Sequence, residues 1–218
     1  MKKIIIFSLV LLFSITAYGK KKKKVNPYHT PGTEEYTKVT SKLIGVWTIS
    51  SFTQQKKDKL AAFDISTFEL MGATGAKAIF RFKLKKEIVD KRLHAWNRKG
   101  VTLTVDEYWV ICKMDFKINK KGVLVYLENV QTTAEITGSG EQLENFQEVE
   151  ALYIKKQSAM KESGGLGLKG MIGAKLLKEV SGVSFVIRIP DQINYKNLED
   201  NSVEFIAPLS KFSVKLVK

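Results

Sequence analysis

With 218 residues and a formal net charge of +14, the chain is long enough for one sizeable domain with a real core. Its single cysteine, Cys112, rules out an internal disulfide, so stability must come from packing. Setting aside Lys2 and Lys3 leaves +12 on residues 20–218, and setting aside Lys20 to Lys24 as well leaves +7. A large part of the basicity is thus concentrated in one short run.

The N-terminus reads as a secretory signal peptide over residues 1–19. Lys2 and Lys3 form a charged start, Ile4 to Ala17 is an almost unbroken apolar run, and Ala17-Tyr18-Gly19 offers small residues before a cut. A run of fourteen residues falls short of the roughly 20 that a membrane span needs. The expectation is an extracytoplasmic protein, periplasmic or secreted. No cysteine lies near the cut to carry a lipid, so a lipoprotein is not expected. Lys20, Lys21, Lys22, Lys23 and Lys24 directly follow, and positive charge there opposes translocation. Cleavage and retention as an anchor therefore both stay open. Outside the cytoplasm these lysines would meet lipid headgroups, lipopolysaccharide or acidic wall polymers, and no nucleic acid is expected. A solvated tail without a partner is the plain alternative.

Residues 20–32 read as a disordered leader, and 33–218 as one domain. Thr33 is a good N-cap, with Glu34 and Glu35 at the positive end of the dipole. Tyr36, Val39 and Leu43 share one face, predicting a short helix that ends at Gly45. Val46 to Ile49 opens the first strand. Phe80, Phe82 and Leu84 then alternate with Arg81, Lys83 and Lys85. Val101, Leu103 and Val105 alternate with threonines, whereas Tyr108 to Ile118 continues with opposite parity, predicting a bulge near Asp106 and Glu107. Asn119 to Gly122 is a turn and Val123 to Val130 a return strand.

Thr132–Ile136 and Val149–Ile154 read as weaker strands around Gly138-Ser139-Gly140, with His94 and Trp96 in a polar loop. Val183 to Ile189 alternates up to Pro190, followed by strands at Val203–Ala207 and Phe212–Val217. The sum is a mostly β chain, a single antiparallel barrel of about 8–10 strands. It carries a short N-terminal helix and one Gly-rich, partly helical insertion near 160–180, where Ile172, Leu176 and Val180 recur every four residues.

Leu43-Ile44-Gly45-Val46-Trp47 resembles the opening of lipocalin-like (calycin-type) barrel proteins. In that family a helical turn leads through Gly-x-Trp into the first strand, and the Trp closes one barrel end beneath a basic residue of the last strand. The resemblance implies Gly45 and Trp47 as signature residues, with Lys211 or Lys215 in place of the family's arginine. The family's central second motif is not recognisable here.

Gly165-Leu166-Gly167-Leu168-Lys169-Gly170 matches the letters of a dinucleotide loop, but no strand runs into it, so no nucleotide cofactor is expected. Cys112 alternates in phase with Val110 and Met114 and reads as a small core residue. Only His29 and His94 could serve as its base, and two histidines without paired cysteines give no metal spacing. Glu141, Glu144, Glu148 and Glu150 form the one acidic cluster, read as a solvated face. No catalytic motif appears.

The expectation is a non-enzymatic, cofactor-free, lipocalin-like protein that binds a small apolar or amphipathic ligand. The alternative is an envelope-associated structural or adaptor protein that holds anionic surfaces or a protein partner. A barrel enzyme with an unrecognised site is the third reading. An open apolar cavity would favour the first, a barrel filled with side chains the second, and convergent titratable groups in a cleft the third. Neither ligand nor oligomeric state can be read from the residues.

Overall fold

The computed structural model describes residues 26–72, 77–97, 102–120, 124–159 and 187–218. A short helix, α1 (Glu34–Thr40), precedes strand β1 (Gly45–Gln54) and the two-residue β2 (Lys57–Asp58). Then come β3 (Phe63–Met71), β4 (Lys77–Leu84), helix α2 (Lys86–Asn97), β5 (Thr104–Ile118) and β6 (Leu124–Ser139). Helix α3 (Leu143–Ala159), β7 (Gln192–Lys196), β8 (Ser202–Ala207) and β9 (Phe212–Val217) complete the order. All pairings are antiparallel, and β1 pairs with β9 from Thr48↔Val217 to Gln54↔Phe212, so eight strands close a barrel and β2 extends only β1. The predicted fold class is the one observed. The predicted bulge is there too, as a register shift between Val105 and Glu107.

Local chemistry explains how the chain enters the barrel. Thr33 accepts the Tyr36 amide through its hydroxyl and starts α1. Gly45 has φ +123°, a conformation that costs a side-chain-bearing residue strain, so glycine suits the corner into β1. From there Trp47, Ile49, Phe52 and Gln54 are buried, with the parity break at the β1 register shift between Ile49 and Ser51.

Eight strands enclose a space that side chains can fill, and here aromatic rings line much of it. Phe68 lies 4.6 Å from Phe80 and 5.1 Å from Phe205, centroid to centroid. Phe52 packs on Phe82 at 5.7 Å and Phe212 at 5.5 Å, and Phe63 on Phe82 at 4.9 Å. Phe52, Phe80, Phe82 and Val214 have no exposed surface at all. One continuous apolar cluster runs from Tyr36 to Leu216.

Several expectations need correction. The stretch holding His94 and Trp96 is α2, not a loop, and Val149–Ile154 belongs to α3, not to a strand. Residues 187–190 are not strand, although Ile187 and Ile189 are buried in the core. The segment is held at the barrel rim by Gln54, whose amide donates to the Arg188 carbonyl (2.6 Å) and accepts from its N–H (3.4 Å). Residues 183–186 of the expected strand lie outside the described residues, and strand β7 follows Pro190. From Asn26 the predicted leader is docked: Tyr28 bridges Asn119 and meets Tyr126 edge-on at 5.1 Å. The signal segment, Lys20–Lys24 and the Gly-rich insertion fall outside the described residues.

Candidate functional site

The antiparallel course brings two groups of residues to opposite ends of the barrel. At one end, β1 begins, β9 finishes and α1 lies across. Trp47 is 1% exposed there and donates its indole N–H to the Leu43 carbonyl at 2.8 Å. The cation on its ring is Lys218, with Nζ 4.5 Å from the centroid. Lys211 and Lys215 take other places. Lys215 points outward between Ser213 and Val217, opposite the buried Phe212, Val214 and Leu216. Lys211 lies at the far end, where its carbonyl accepts the Gln55 amide. Lys218 continues the inward parity of β9, and that parity is the signal that marks it in the sequence.

At the other end, α2 and α3 meet over the long β5–β6 hairpin. Ile88, Val89, Leu93 and Trp96 of α2 face inward, and so do Phe146, Tyr153 and Ile154 of α3. Within these stripes sit two buried charges, Arg92 and Glu150, each 3% exposed. Arg92 Nε donates to Glu150 Oε2 at 3.0 Å and Nη2 to Oε1 at 2.7 Å, a two-pronged pair. The Tyr108 hydroxyl of β5 donates to Glu150 Oε2 at 2.6 Å, and the Arg92 guanidinium lies 4.8 Å from the Tyr153 ring centroid. Two helices and a strand are thereby tied at one carboxylate.

This arrangement clamps more than it reacts. Burial, and then the Glu150 charge, push the Tyr108 hydroxyl well above its ordinary range, so it stays a donor. The Glu150 carboxylate already accepts from the guanidinium and the phenol. Cys112, fully buried beside Thr132, has its thiol pushed up to about 11 by burial, which leaves no ready thiolate. His94 is exposed on α2. Of the acidic cluster, Glu141, Glu144 and Glu148 are exposed as expected, whereas Glu150 is the buried clamp. Among the described residues no three His, Cys, Asp or Glu side chains converge in a way that could hold a metal. Among them also, no helix is long and apolar enough to cross a membrane.

Neither a family model, nor a curated protein, nor a solved structure matches the chain.

Proposed function

We propose that this protein is an exported, non-enzymatic barrel that works through its outer surface, as an envelope-associated structural or adaptor protein on anionic surfaces. The observation that carries the reading is the occupied interior: Phe52, Phe68, Phe80, Phe82, Phe205 and Phe212 pack ring against ring where a carrier would keep room for its cargo. Excess positive charge points to anions as partners, and Lys20–Lys24 supply long-range, salt-sensitive attraction. Vesicle sedimentation of residues 20–218 is the test. The protein should pellet with phosphatidylglycerol vesicles and not with phosphatidylcholine, and deleting Lys20–Lys24 should weaken retention sharply while leaving the fold unchanged. Equal retention on both lipids would refute the reading.

One observation favours a second reading, a lipocalin-like carrier of a small apolar or amphipathic ligand. Gly45 and Trp47 sit at the corner into the barrel with a cation on the indole, as the family resemblance implies. A cargo would then have to enter beside α2 and α3 and displace packed rings.

A further inference from the structure

At the end of the barrel remote from Trp47, the β1–β2 turn, residues 188–190 and the β8–β9 turn border a shallow cleft of about 430 Å³. Gln54, Arg188, Pro190, Leu209 and Lys211 line it. Leu209 stands at the tip of the turn Pro208–Ser210 and is the most exposed of the large apolar side chains described. Around it cations outnumber acids, the acids close by in the chain being the exposed Asp58 and Asp191. Arg188 and Lys211 border the cleft, with Lys59 close to Arg188 and to Lys57. Among the described residues none of the four has an acid within ion-pairing distance, while Asp58 accepts the Leu60 amide. Crowding shows in Lys59, whose ammonium is held below its ordinary range by burial first, then by Lys57 and Arg188.

The backbone here is also strained. Gln55, Lys56 and Lys211 hold φ of 54°, 64° and 51°, three of the five left-handed non-glycine residues described. At Gln55 and Lys56 the two-residue turn from β1 into β2 requires this conformation, and at Lys211 the surroundings hold it. Folding alone does not call for cations gathered without counter-ions around an exposed leucine. An anionic interface with an apolar layer beneath it does.

We propose that this rim docks on an anionic lipid bilayer, with Leu209 entering the headgroup layer and Arg188, Lys211, Lys57 and Lys59 contacting the phosphates. The inference rests on the surface-working reading above and assigns that surface a place and an orientation. The lysine run attracts the protein from a distance, and the rim determines which end lands.

The test uses residues 25–218, without the five lysines, on phosphatidylglycerol vesicles at low salt. Residual binding should persist and be absent on phosphatidylcholine. Arg188→Gln with Lys211→Asn should weaken it about 25-fold, at roughly fivefold per charge; asparagine tolerates the left-handed backbone at 211. Leu209→Ser should weaken it about threefold. Removing two charges at the Trp47 end, by Lys38→Gln and Lys42→Gln, should change it less than twofold. Equal losses from both charge pairs, or none from the rim pair, overturn the docking site while binding of residues 20–218 keeps the surface reading intact. Binding of soluble glycerophosphate in place of vesicles overturns the bilayer as the partner. No vesicle binding by either form overturns both proposals. All five positions are exposed, so an unchanged thermal melt accompanies each variant.

Discussion

The two ends of the barrel are sealed by different physics. At the α1 end a single large ring, Trp47, fills the taper, its one polar atom is satisfied by Leu43, and Lys218 covers its face. At the α2–α3 end the seal is a buried ion pair between residues 58 apart in sequence. The first arrangement stabilises through burial and tolerates changes at its rim. The second depends on both partners, because one charge left alone in a dry site is expensive. A barrel plugged by packing at one end and by a polar clamp at the other answers differently to substitution at its two ends.

Removing Trp47 tests the packed end most severely. Trp47→Ala should leave a cavity and cost on the order of 3–5 kcal/mol, seen as a large drop in Tm. Trp96→Ala should cost clearly less, because Trp96 is only half-buried against Phe146 at 5.4 Å. The opposite ranking would reverse the roles assigned to the two ends. At the clamp, Arg92→Met should cost about 3–5 kcal/mol by stranding the Glu150 carboxylate, while adding Glu150→Leu should recover most of that loss. Additive losses in the double variant would show that the pair is not coupled.

Between the two ends, Cys112 reports on the dryness of the interior. Burial raises its thiol from 9.0 to about 11, so the neutral form is favoured in the folded protein. Its contribution is fully present below about pH 9 and is lost as pH rises towards 11, a loss of about 2–3 kcal/mol. Urea titrations from pH 8 to 11 should show parent stability falling more steeply than that of Cys112→Val. Parallel curves would mean that water reaches the thiol. The smallest effect belongs to Lys218→Gln, about 0.5–1 kcal/mol, read with a shift in indole emission. An equal effect from Lys215→Gln would argue against a specific cation on the ring.

The strands were legible because a barrel wall has one wet face and one dry face, so alternation survives in the residues. Even the irregularity at Asp106–Glu107 showed as a change of parity. The helices over the mouth were not legible for a reason rooted in the clamp itself. Arg92 interrupts the stripe of Ile88, Val89, Leu93 and Trp96, and Glu150 interrupts that of Phe146, Tyr153 and Ile154. Each charge makes sense only beside its partner, which local periodicity does not reveal. The Trp47 end is half legible: the resemblance marks Gly45 and Trp47 but implies Lys211 or Lys215 for the cation, where the structure has Lys218. Counting parity on from Leu216 leads to Lys218. Leu209 and its cations carried no signal at all, since they meet only when β1 closes on β9.

The central claim, that the barrel is occupied by its own side chains and acts from outside, is tested most directly by native mass spectrometry of purified residues 20–218, followed by organic extraction. The account predicts the mass of the bare polypeptide and an extract free of stoichiometric lipid. A bound apolar molecule released in equal amount with the protein would contradict it, and would point to a carrier whose lid is the Arg92–Glu150 clamp.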